Sequence, residues 1–195
     1  MPKVEERPKL PPKGPPGREL GGGEGPEDAF PLPSGQVGLL VLLAAITSLF
    51  AALVSAYLVR MGLPDWQALP KPPLLWLNTL VLFLASLALE RAARLEAWPQ
   101  ARPWVLSGGL LGAGFILGQL LAWRLLLSLG YAPAGNPASA FFYLVTALHG
   151  LHLLGGGLAL AWVFVREGKG LRLCAWYWHY LLGVWLVLYA LFLWT

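Results

Sequence analysis

Five apolar stretches alternate along this chain with short segments that carry most of its charge. A helix needs about 20 consecutive, mostly apolar residues to cross a bilayer. The pattern predicts spanning helices over about 36–60, 74–94, 104–128, 138–165 and 173–195. Arg60 closes the first. Glu90 and Arg91 end the apolar run of the second, and Trp76 with Arg91 or Arg94 can anchor its two ends. Arg124 can snorkel from the last turn of the third. The connectors are a Pro-rich segment over 63–73 with Asp65, Trp66 and Lys71, an uncharged turn over 131–137 and a basic loop over 166–172. Pro133, Gly135, Asn136 and Pro137 act as breakers in the uncharged turn. The expected fold is all-α, a polytopic membrane protein built as one five-helix transmembrane bundle.

Residues 1–35 break this pattern. They are rich in Pro and Gly, carry both charge signs and show no apolar periodicity. Such a segment buries too little surface to offset the entropy of ordering it, so a disordered tail is expected. About thirty residues of prolines and charges precede the first apolar run, unlike a secretory signal peptide. Lys and Arg placement sets the orientation. Lys3, Arg7, Lys9, Lys13, Arg18, Arg91, Arg94, Arg102, Arg166, Lys169 and Arg172 fall on one side, against Arg60, Lys71 and Arg124 on the other. The expected topology is N-terminus cytoplasmic and C-terminus outside. Composition agrees: 57% of residues are hydrophobic and only 12% charged, against about 25% charged in a soluble domain. The net charge of +4 is accounted for by the loops and tail, and no nucleic-acid partner is implied. Cys174 is the single cysteine, so no internal disulfide forms, and a small buried apolar role is expected for it.

Glycine marks close helix contacts. Gly108 and Gly112, and Gly114 and Gly118, form small-xxx-small pairs on the third span, and Gly155, Gly156 and Gly157 thin the fourth. The fourth span also carries His149 and His152, three residues apart and so on one helical face. Polar groups at bilayer depth are costly and turn toward protein. The expectation is buried imidazoles hydrogen-bonded to neighbouring helices. A haem or metal site using His149, His152 and His179 is the sharper alternative. Geometry weighs against it: His152 lies about 20 Å and His179 about 9 Å from the same side of the bundle, at about 1.5 Å per residue. His149 and His152 share a helix and cannot clamp opposite faces of one iron. The acids fall in the tail, loops or helix ends, with Glu90 at a helix end, so no membrane acid is expected to orient a histidine. Ser, His and acid therefore do not converge on a catalytic triad, and no catalytic, cofactor or metal residue is assigned. Trp66, Trp76, Trp98, Trp104, Trp123, Trp162, Trp176, Tyr177, Trp178 and Trp194 form an interfacial belt, dense enough at Trp176 to Tyr180 to suggest a lipid headgroup pocket.

The fourth and fifth spans resemble subunit III of the haem–copper terminal oxidases. The resemblance rests on Ser139 to Gly155, which contains His149-Gly150-Leu151-His152, on Trp176-Tyr177-Trp178-His179-Tyr180, and on Trp185. Ser55-Ala56-Tyr57, Leu77-Asn78-Thr79, Phe115, Gln119 and Trp123 add to it, so that it covers about 43–194. The chain resembles the short five-helix bacterial form, which lacks the first two helices of the seven-span form. The family usually places acids where this chain has Ile46, Ala122 and Leu182. What the resemblance implies is a non-catalytic accessory subunit that supports assembly, stability and lipid binding beside the catalytic subunit. Haem and copper are then expected in the partner subunits, oxidase subunits I and II, with membrane phospholipids as further partners and the bacterial inner membrane as the site. His149, His152, Trp178, His179, Gln119 and Asn78 are the expected lipid-cleft or helix-packing polar residues. The alternatives are a similar accessory protein of a nitric-oxide reductase and a His-ligated membrane haem or quinone protein.

Overall fold

The structure is a computed structural model that describes residues 34–194. The tail expected over 1–35 lies outside them, apart from Ser34 and Gly35, as does Thr195 at the end of the fifth span. The described residues form five helices and no strand: α1 (Ser34–Met61), α2 (Leu74–Ala93), α3 (Trp98–Ser128), α4 (Pro137–Val165) and α5 (Leu171–Trp194). All five are long and apolar enough to cross a membrane.

The helices begin where local chemistry lets them. Asn136 caps α4: its Oδ1 accepts from the Ser139 N–H at 3.1 Å, and Ser139 Oγ accepts from the Asn136 N–H at 3.3 Å. Pro137, expected to close the preceding turn, instead opens the helix, where its missing N–H costs no bond. The third helix starts at Trp98, six residues before the expected 104. Pro99 sits in its first turn, and Pro103 forfeits one hydrogen bond in the helix. Burial of Ala101 on that added length favours the extension. The α4–α5 connection is tight, and Glu167, Gly168 and Gly170 all take positive φ. At Gly168 a Cβ would also meet the Trp98 ring at 3.0 Å, so glycine is needed there twice over.

Helices α2, α3, α4 and α5 close into a ring in which each packs on the next, and α5 returns to α2. Helix α1 lies outside this ring, against α4 and α5. In their most apolar stretches 44% of α5 but only 11% of α1 is buried, so α5 is the hub and α1 an attached flank. Along α3 the buried positions are Ala101, Val105, Gly108, Gly112, Phe115, Gly118, Gln119, Ala122 and Leu126, a helical stripe. This register corrects the expected Gly114–Gly118 pair, because Gly114 faces outward. It leaves Gly108, Gly112 and Gly118 at close contacts with Leu89, Trp178 and Asn78. On α4 only Gly156 of the three consecutive glycines touches a neighbouring helix, through Tyr177 and Trp178. Ile46 and Ala122, where the resembled family carries acids, are buried among apolar side chains.

In lipid, apolar burial gives little drive for helices to associate, so close packing and interhelical hydrogen bonds must hold the ring. Several such bonds are present. Trp185 Nε1 donates to Thr79 Oγ1 at 2.9 Å, joining α5 to α2, and Trp123 Nε1 donates to Thr146 Oγ1 at 3.0 Å, joining α3 to α4. Tyr143 donates its hydroxyl to the Trp123 and Tyr131 carbonyls. Tyr177 donates to the His152 carbonyl, joining α5 to α4. Helix α1 is tied on by a hydroxyl pair, Thr47 with Tyr180 at 2.8 Å.

Candidate functional site

The polar residues singled out in the sequence gather in two places. The first is a buried layer across the ring. Asn78 on α2 is 2% exposed and packs flat on α3, where a Cβ added to Gly118 would fall 2.0 Å from its Oδ1. Gln119 follows on α3 at 5%, and His149 on α4 is fully buried. The His149 ring is walled by Phe50 of α1, Phe115 of α3 and Trp185 of α5, with centroids 6.4, 5.8 and 5.4 Å away. Neither ring nitrogen of His149 has a hydrogen-bond partner among the described residues, nor does the amide of Gln119 or Nδ2 of Asn78. This corrects the expectation that His149 bonds to a neighbouring helix. The helices around it present aromatic faces at that depth, and the polar side chains lie one turn away along them. His152, three residues on, shares the Phe50 contact at 5.6 Å, but its Nδ1 donates to Leu148 O of its own helix at 2.7 Å.

The second place is the α2–α5 contact. The two helices run antiparallel, so residues a similar distance from the α2 end and the α5 start meet. Ser86 and Glu90, one turn apart on α2, face His179, two turns into α5. Glu90 Oε2 accepts from His179 Nε2 at 2.9 Å, and Glu90 Oε1 accepts from Arg94 Nε at 2.7 Å. Ser86 Oγ is hydrogen-bonded to His179 Nδ1. A carboxylate only accepts, so Nε2 carries the hydrogen, and in the neutral ring Nδ1 accepts from Ser86. The expectation that no acid orients a histidine is therefore overturned. Glu90 is near the helix end, as its place in the sequence suggests, but α5 brings His179 to the same level. Ser86 and Glu90 were missed as partners, and their i, i+4 spacing on one apolar helix was the available signal.

This Ser–His–Glu array is a clamp between helices rather than a nucleophile site. The serine is 2% exposed and lies within a packed helix, so no substrate carbonyl can approach it. Trp178, next to His179, points inward. Its ring is 2% exposed and fills the gap left by Gly112, and its Nε1 donates to Gly156 O at 3.3 Å. Cys174 is buried and free. Among the described residues no three His, Cys, Asp or Glu side chains stand close enough to hold a metal ion.

Outside the spans, Asp65 pairs with Arg60, with Nη1 donating to Oδ1 at 2.6 Å. The hydrogen bond from this guanidinium holds the Asp65 carboxyl below its ordinary value.

No family model matches the chain. Full-length relatives do. Cytochrome c oxidase subunit 3 of Thermostichus vulcanus is 28% identical over 172 residues, covering 80% of this chain and 84% of the relative. The probable cytochrome c oxidase subunit 3 of Mycobacterium tuberculosis is 30% identical over 171 residues, covering 79% and 84%. That of Synechocystis is 27% identical over 172 residues, covering 79% and 72%. The aligned length takes in most of the bundle described above. The chain belongs to the cytochrome c oxidase subunit 3 family.

Proposed function

We propose that this chain is the accessory, non-catalytic subunit of a respiratory haem–copper oxidase, bracing the catalytic subunit within the membrane. The carrying observation is 30% identity over 171 residues to the probable cytochrome c oxidase subunit 3 of Mycobacterium tuberculosis, spanning 84% of it. The bundle suits such a role. Side chains such as Trp185, Trp123, Tyr177 and His179 join its helices by hydrogen bonds, and its one deeply buried histidine is enclosed by aromatic rings rather than by further ligands. Relatives that are cytochrome c oxidase subunits favour an oxidase over a nitric-oxide reductase. In this reading haem and copper reside in the partner subunits I and II, and the complex lies in a bacterial inner membrane. Phospholipids fill the grooves beside α1. One such groove runs between α1 and α5 past Thr47, Phe50, Val54, Tyr180 and Val184. Asn78, Gln119, His149, His152, Trp178 and His179 serve the bundle's internal packing.

The test is affinity purification of the tagged chain from its native membrane in mild detergent. The expected result is co-migration with a haem-bearing partner, together with no Soret absorbance from the chain once separated. Recovery without any haem-bearing partner, or a Soret band from the isolated chain, overturns the reading.

A further inference from the structure

Beside the Ser86–His179–Glu90 clamp lies a polar cavity of about 460 Å³, lined by Glu90, Ala93, Arg94, Arg172, Ala175 and Trp176. It lies where the last turn of α2 meets the first turn of α5. Two guanidinium groups line it. Arg94 donates through Nε to Glu90 Oε1 from a largely exposed side chain. Its terminal amino groups make no hydrogen bond among the described residues. Arg172 lies over the Trp176 ring, 5.8 Å from its centroid, and makes no hydrogen bond or ion pair among them. A guanidinium fork suits two oxygens of a phosphate.

The charges fit a single anion. Two guanidinium groups and one carboxylate leave one positive charge. Both Glu90 oxygens are engaged, one by Arg94 and one by His179, so the carboxylate offers little repulsion to an arriving anion. The same end of the bundle carries Arg91, Arg102, Arg166 and Lys169. Their summed field favours anions there and disfavours a headgroup that brings its own cation. Trp176 is 43% exposed, an amphipathic ring of the kind that sits at headgroup level.

We propose that Arg94 and Arg172 together bind a singly charged phosphate group, supplied by an anionic phospholipid headgroup or by free phosphate. This deepens the phospholipid part of the reading above. It concerns the α2–α5 junction rather than the grooves beside α1, and its test reads ligand retention rather than complex assembly, so the two fail separately.

The test is native mass spectrometry of the full chain in mild detergent, with added phosphatidylglycerol, phosphatidylcholine or inorganic phosphate. Wild type is expected to retain phosphatidylglycerol over phosphatidylcholine, and Arg94→Gln and Arg172→Gln each to weaken that retention about tenfold, as loss of one charge-assisted hydrogen bond implies. Arg124→Gln, at the far end of α3, is expected to retain it as wild type does. Displacement of the lipid by millimolar inorganic phosphate assigns the site to free phosphate, and failure to displace it assigns the site to the headgroup. Equal retention in wild type and both glutamine variants, or no retention of either ligand by wild type, overturns the proposal. A second measurement needs no variant: phosphatidylglycerol should slow phenylglyoxal modification of Arg94 and Arg172 in the wild-type chain. Unchanged modification rates would likewise overturn it.

Discussion

The indole of Trp178 fills the space in which any side chain at position 112 would lie. A Cβ on Gly112 would stand 2.3 Å from the ring's outer carbon. The ring is buried and tied to Gly156 O, so it has little freedom to withdraw. Gly112→Ala should therefore destabilise the bundle by about 1–3 kcal/mol, the usual cost of overpacking a filled core. Thermal unfolding in detergent, followed by circular dichroism, reads this. Gly150→Ala is the internal contrast, because nothing lies within 4 Å of a Cβ there. That variant should melt at or slightly above wild type, since alanine favours helix.

Trp185 is fully buried, and its Nε1 has Thr79 Oγ1 as its acceptor. Thr79→Val keeps the shape and removes the acceptor. The expected loss is about 1–3 kcal/mol, the cost of an unsatisfied buried donor. Thr79→Ser restores the oxygen and should recover most of it. A valine variant as stable as wild type would show that this bond does not hold α5 to α2.

Glu90 joins α2 to α5 through His179 while also holding Arg94. Glu90→Ala removes both bonds and should cost about 1 kcal/mol or more, tempered by the half-exposed position. Glu90→Gln keeps an oxygen for the His179 N–H and should fall between alanine and wild type. Hydrogen exchange along the last turn of α2 is the sensitive readout, and it should accelerate in the alanine variant first.

Asp65 gives the chain a pH-dependent contact outside the spans. Its folded carboxyl titrates below the ordinary value of 3.8 because of Arg60. Its contribution is complete above that ordinary value and is lost as pH falls through the lower folded one. Melting curves of wild type and Asp65→Asn should differ at neutral pH and converge in acid. A gap that persists at the acid end would assign the contact a different cause.

Much of this architecture was written in the spacing of apolar runs, because a helix in lipid must satisfy its own backbone and its length shows directly. The limits of the helices were harder to read. The segment from Trp98 to Pro103 holds two prolines and an arginine, and it joined α3 where Ala101 found cover. Glycine pairing on α3 was misjudged at Gly114, since spacing alone does not say which stripe faces a neighbour. The Glu90–His179 contact spans 89 positions, and no local pattern reports which side chains two distant helices bring to one level. His149 stands out in the sequence as a polar group within an apolar run, but its aromatic enclosure depends on Phe50, Phe115 and Trp185 arriving from three other helices.

The hub position of α5 bears on how the protein is made. Of the five helices it is the last to leave the ribosome, yet α1, α2 and α4 all lean on it. Until it inserts, α2 lacks Trp185 and His179, and α1 lacks Tyr180. The nascent chain must wait in the membrane as a loosely gathered set of helices, open to membrane chaperones and proteases, and the arrival of α5 becomes the moment at which it locks.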